Sequence, residues 1–177
     1  CGSLSLTDEP ARSATFYAVE EAKKAGAVIS YDPNYRPLLW PDEQTAIHHM
    51  RSMVPYADIM KISDEETVLL SGKEDPREAA KALLEAGVSC VVVTLGGDGA
   101  LLMTKQIEVQ EKGKARNVVD TTGAGDSFWG GLLSRLALNN VKPEDLTEEQ
   151  AREYLKFANA VAGLCVEKRG AIPAMPT

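Results

Sequence analysis

Short apolar runs alternate along this chain with longer stretches in which apolar positions recur three and four residues apart. The runs read as strands and the longer stretches as helices. "AVISYD" (Ala27 to Asp32), "ADIMKI" (Ala57 to Ile62), "SCVVVTL" (Ser89 to Leu95) and "ALLMT" (Ala100 to Thr104) are the clearest strands. "SCVVVTL" keeps its apolar character almost throughout, as a strand covered on both faces does. Residues 106 to 119 are expected to hold one or two more short strands.

Helical spacing covers Ala11 to Ala25, with Thr7 or Asp8 as the expected cap, Pro10 in the first turn and Gly26 as the stop. Residues 42 to 53 read as a helix that Pro55 ends, and Ser63 to Ser71 as a short one closed by Gly72. Asp75-Pro76 opens the next, which runs to Gly87. Another begins inside "DTTGAGDSF" (Asp120 to Phe128) and runs to about Asn139; the last spans Thr147 to Val166. "CGSLSLTDEP" reads as a strand and then a helix start. Because the chain opens on Cys1 in what looks like the middle of a fold, a fragment is expected.

This alternation predicts an α/β class with a mostly parallel sheet, as a single domain over residues 1–177. Ligands of such sheets bind beyond the C-terminal ends of the strands. The loops with unusual chemistry, Pro33 to Trp40, Ser63 to Glu66, Gly96 to Gly99 and Asp120 to Asp126, all follow predicted strands.

Composition narrows the partners. Apolar residues make up 44% of the 177 and charged residues 25%, which reads as globular. The formal charge is −7, with no basic face for nucleic acid, so a phosphate ligand must be held by local geometry. No apolar run is long enough for a membrane span, and no leader pattern is present. Three cysteines without metal-ligand spacing fit a reducing cytoplasm.

Five strings carry candidate chemistry. In Gly123-Ala124-Gly125-Asp126 the glycines let backbone approach a ligand, and a helix start offers unpaired N–H groups to an anion. Asp126 would accept a hydroxyl proton beside that hole; a glycine turn with an Asp-capped helix is the other reading. "TLGGDG" (Thr94 to Gly99) is either a hairpin turn or a backbone rim for a nucleotide. "SDEE" (Ser63 to Glu66) is a capping box, or Glu66 orients water on a divalent ion. In "DPNYR" Asn34 and Arg36 either contact a ligand or belong to an ordinary loop. Asn159, in "FANAVAGL", either lines a base pocket or is a hydrogen-bonded core group.

In order, "DPNYR", "KISDEE", "TLGGDG", "DTTGAGDSFWGG", "FANAVAGL" and "KRGAIPAMP" resemble the ribokinase-like sugar kinases of the phosphofructokinase-B family. The likeness covers essentially the whole chain but only the C-terminal part of that family's fold. It implies a ribokinase-like three-layer α/β/α architecture, with the N-terminal lid region absent from this chain. It implies ATP-dependent phosphorylation of a sugar's primary hydroxyl, with Mg2+ as cofactor and a homodimer for the full-length protein. By that likeness Asp126 is the base, Gly123, Ala124, Gly125 and Asp126 form the anion hole, and Thr94, Gly96, Gly97 and Gly99 belong to the nucleotide loop. Asn159 lies near the adenine, and Glu66 organises magnesium, with Ser63 where the family carries asparagine. Potassium beside the hole maps to Asp120, Thr122, Cys165, Lys168, Gly170 and Ala174, mostly through carbonyls, with Ala174 in place of a frequent serine. Within the family the strings are most similar to bacterial fructokinases, with 2-keto-3-deoxygluconate kinases as the nearest competitor.

Overall fold

The computed structural model describes residues 1–114 and 117–176. Among the described residues five strands, β1 (Ser30–Tyr31), β2 (Ile59–Ser63), β3 (Cys90–Thr94), β4 (Ala100–Thr104) and β5 (Glu108–Glu111), form one sheet in sequence order. β1 and β2 are parallel, with Ser30 opposite Ile59 and Tyr31 opposite Met60. β3, β4 and β5 follow one another through short turns, and a parallel crossover needs a dozen residues or more, so these neighbours run antiparallel. Among the described residues six α-helices accompany them: α1 (Ala11–Lys24), α2 (Glu43–Met53), α3 (Thr67–Ser71), α4 (Pro76–Glu85), α5 (Ala124–Leu138) and α6 (Glu148–Val166). The α/β class expected from the alternation is therefore present.

The chain clusters into two compact units, Cys1–Val93 with Met103–Lys105, and Thr94–Leu102 with Gln106–Thr177. In the first unit Ile59, Met60, Ile62 and the run Cys90 to Val93 are wholly buried. Each such aliphatic side chain contributes about 1.5–3 kcal/mol of burial. The charge inside this core is paired: Lys61 Nζ lies 2.6 Å from Asp32 Oδ2. The helix ends follow the capping chemistry. Asp42 accepts from Thr45 N–H, and Asp75 from Arg77 and Glu78 N–H. In the second unit α5 lies close against α6, because Gly131 brings its backbone to Ala158 and Val161; a Cβ there would come within 3.3 Å of Ala158 Cα.

Three expectations fail, each for a local reason. Only Ser30 and Tyr31 of "AVISYD" form β1. The Asp58 carboxylate accepts the Ile29 N–H at 2.7 Å, replacing the ladder bond that would have continued the strand. "CGSLSL" is no strand: Gly2 makes a single parallel bridge to Asp32, and Ser3–Leu6 wind into a 3-10 turn. Neither Thr7 nor Asp8 caps α1 by its side chain. Pro10 holds the cap position, Thr7 Oγ1 donates back to Leu4, and Glu9 receives the Ser13 N–H. Of the strands expected in 106 to 119, β5 is formed, and residues 115 and 116 lie outside the described residues.

Candidate active site

The second unit carries the string that begins at Asp120. Gly123 has φ +80°, a conformation that an L side chain resists, and it turns the chain into α5. A Cβ on Gly123 would also meet Ala171 at 3.2 Å. The Ala124 N–H donates to Thr121 O at 3.1 Å, so it is used inside the turn rather than offered to an anion. Ser127 N–H returns to Gly123 O. Among the described residues the N–H groups of Gly125 and Asp126 have no backbone acceptor, which leaves them as the outward donors of the helix start. The Asp126 side chain is exposed, and no described residue donates to its carboxylate.

Asp120 behaves differently. One of its oxygens accepts from Thr122 N–H at 2.9 Å and Thr122 Oγ1 at 2.7 Å; the other accepts from Gly170 N–H at 2.9 Å. The Thr122 hydroxyl first, then the Gly170 and Thr122 amides, hold its pKa down to about 2. Asp120 therefore ties the approach to α5 to the loop that follows α6.

Ala124 and Thr121 also line a cavity of about 320 Å³ within the same unit. Its walls include Gly96 and Gly97 from the loop after β3, Gly113 and Lys114 after β5, and Asn159, Ala162 and Gly163 from α6. This size falls at the lower end for small-molecule pockets. The two turns that face it touch main chain to main chain. A Cβ on Gly113 would fall 2.6 Å from Gly97 O, and one on Gly99 would collide with the backbone of Glu111 to Gly113. Asn159 is 5% exposed, and its amide donates to Glu111 O at 3.1 Å and Lys112 O at 3.2 Å. It is thus a hydrogen-bonded core group and a wall residue at once. Thr94 ends β3 and is not among the residues lining this cavity. Gly113 was missed in the sequence; its signal is a lone glycine two residues after a strand.

The first unit holds the "SDEE" and "DPNYR" strings. Glu66 is 7% exposed, and both its oxygens are occupied. Oε2 accepts from Ser63 N–H and Oγ, and Oε1 from Tyr35 N–H at 2.7 Å. The capping box is therefore formed, and the same carboxylate clamps the loop after β1. Asn34, with φ +50°, and Arg36 are exposed on that loop, and the Arg36 guanidinium donates to Tyr35 O.

The positions considered for a monovalent cation lie in the second unit. Asp120, Thr122 and Gly170 are brought together by the bonds above. The Cys165 carbonyl already accepts from Glu167 and Lys168 N–H, which turns it into the helix end rather than toward a cation. Ala174 is buried in a 3-10 turn. The set is thus oxygen-rich and weakly charged, which suits potassium better than a divalent ion. Among the described residues no three His, Cys, Asp or Glu side chains gather into a metal cluster.

A family model described as pfkB family carbohydrate kinase matches residues 1–177. The chain belongs to the pfkB family of carbohydrate kinases. A probable fructokinase-6, chloroplastic, of Arabidopsis thaliana is 45% identical over 99% of this chain and 46% of its own length. The crystal structure of fructokinase from Vibrio cholerae O395 in its fructose-, ADP- and calcium-bound form superposes with a TM-score of 0.91 at 36% identity, over 99% of this chain and 56% of that one. The aminoimidazole riboside kinase of Salmonella enterica, complexed with aminoimidazole riboside and an ATP analogue, gives a TM-score of 0.86 at 33% identity, over 99% and 57%. The ribokinase-like fold is thereby shown. The chain spans about half the length of the curated relatives it matches.

Proposed function

We propose that these 177 residues are the nucleotide-binding, base-carrying part of an ATP-dependent fructokinase. The observation that carries this reading is the state of Asp126. Its carboxylate is exposed and, among the described residues, unpartnered, at a helix start with two N–H groups that have no described backbone acceptor, and the adjoining Ala124 lines a glycine-walled cavity. In this reading ATP occupies that cavity, with its base near Asn159, Ala162 and Gly163. Asp126 takes the proton of the fructose 6-hydroxyl, whose oxygen then bonds to the γ-phosphorus as the bond to ADP breaks. The Gly125 and Asp126 amides hold the charge on the transferring group, and placement does most of the work.

Magnesium on the triphosphate would supply charge neutralisation. Glu66, with both oxygens already accepting, fits an outer role that shapes its own loop better than direct ligation. Potassium at the Asp120–Gly170 loop would add positive charge near the start of α5, with the carbonyls of Lys168 and Gly170, which accept from no described backbone N–H, as its holders and Asp120, whose oxygens already accept, shaping the loop around it.

Fructose is supported by the fructokinase relatives. A riboside acceptor is the second reading, supported by the Salmonella neighbour. A coupled ADP-release assay on a full-length chain carrying these residues separates them, run with fructose, 2-keto-3-deoxygluconate, ribose and aminoimidazole riboside, with and without potassium. Highest kcat/KM for fructose is expected; preference for another acceptor would replace the sugar assigned here. The 177 residues alone are expected to turn over weakly or not at all, and fructose 6-phosphate formed at ordinary rates would contradict that.

A further inference from the structure

The 320 Å³ cavity has walls almost without charge. Gly96, Gly97 and Gly113 present main chain to it, and Val118 and Val166 present aliphatic groups. Asn159 spends its amide on the carbonyls of Glu111 and Lys112. Among the described residues that line it, Lys114 is the one charged side chain. Lys114 is exposed, and no described residue accepts from its ammonium. The residues just before it are held from two sides. Arg152 Nη1 lies 2.7 Å from Glu111 Oε1, and seven residues further along α6 the Asn159 amide reaches the Glu111 and Lys112 carbonyls. Seven residues is about two turns, so both grips come from one face of α6. Gly113 then seats against the loop after β3, where a Cβ would stand 2.6 Å from Gly97 O. The main chain is thus fixed up to the residue before Lys114, and what stays free is the flexible stem that carries the charge.

The formal charge of a nucleotide lies wholly on its phosphates; the base and the ribose are neutral. The Gly125 and Asp126 amides at the start of α5 serve the group in transfer. The phosphates that stay on the nucleotide are then left without a positive group of this chain, whose net charge of −7 offers no general attraction. A lysine ammonium is a compact charge with three donors, and phosphate oxygens are its natural acceptors. We propose that Lys114 binds the phosphates that remain on the nucleotide, so that charge at Lys114 and shape at the glycine walls divide the recognition of ATP and ADP. The inference rests on the cavity being the nucleotide site, and not on fructose being the acceptor.

The test is calorimetric titration of a full-length chain carrying these residues with ATP and ADP, and with adenosine by competition, for the parent, Lys114→Met and Lys114→Arg. Methionine keeps a flexible stem and removes the charge. Lys114→Met should weaken ATP and ADP about tenfold, the contribution of one charge-assisted hydrogen bond. Adenosine should be held as tightly as by the parent, and Lys114→Arg should recover most of the loss. Added salt should narrow the gap between parent and Lys114→Met, because an exposed ion pair is screened. Equal ADP affinity in parent and Lys114→Met overturns the proposal and leaves the cavity standing as the nucleotide site. An equal loss for adenosine overturns it too, because the ammonium then reads the base or the ribose. A gap that salt does not change removes the ion pair. A parent that binds neither ATP nor ADP removes the nucleotide site itself, and this inference with it.

Discussion

Glu66 and Asp126 both stand at the start of a helix, each in one of the two units, and their carboxylates are used in opposite ways. Glu66 is buried and accepts from three donors, joining the loop after β1 to the loop after β2. Asp126 is exposed and accepts from no described residue. A carboxylate saturated by amides is a structural part. A carboxylate left open beside free N–H groups can receive a proton. Position at a helix start does not separate structure from chemistry; the count of donors around the carboxylate does.

The sharpest way to break this contrast is Asp126→Asn. A positioned base contributes about 10²–10⁴-fold, so turnover of the full-length chain should fall at least ~100-fold. ATP affinity should be nearly kept, as measured by titration. Turnover within a few-fold of the parent would mean that Asp126 is no more chemical than Glu66. The reciprocal change is Glu66→Ala. It leaves the Tyr35 and Ser63 amides without their acceptor and should cost about 2–3 kcal/mol in urea unfolding. A cost near zero would show that the clamp is not made in solution.

Asp120 lies between these extremes, and Asp120→Asn sharpens the comparison. The variant loses charge-assisted bonds to Thr122 and Gly170, so the Gly170 amide should exchange faster with solvent, while the carboxylate of Asp126, the proposed base, is left in place. The smallest effect is one of pH. Because folding depresses the Asp120 pKa to about 2 from an ordinary 3.8, the stability it adds is fully present above about pH 4. That stability is lost as the pH falls from there through 2. Asn at this position should abolish that part of the acid dependence; an identical acid profile in parent and variant would count against the Gly170 tie.

The sequence was informative where a side chain closes its own local structure. Asp75-Pro76 announces α4, and Ser63 with Glu66 announces the capping box, because these bonds span two or three residues. It was silent where the decisive partner is distant. Asp58 truncates β1 from 29 residues away, through its bond to Ile29. The fate of the Asn159 amide depends on Glu111 and Lys112, whose carbonyls are 48 and 47 residues distant. The same holds at the start of α5. The motif showed that N–H groups would point outward there, but not that the Thr121 carbonyl takes the one from Ala124.

The contact of Gly97 with Gly113 has a consequence for how this protein can evolve. Whereas a Cβ on Gly97 itself meets no atom within 4 Å, at Gly113 any point mutation inserts matter where the Gly97 carbonyl already stands, 2.6 Å from the added Cβ. Selection can reject such changes but has little to work with. Drift in ligand preference is then recorded at lining positions that still have room, such as Gly97 and the half-buried Ala162.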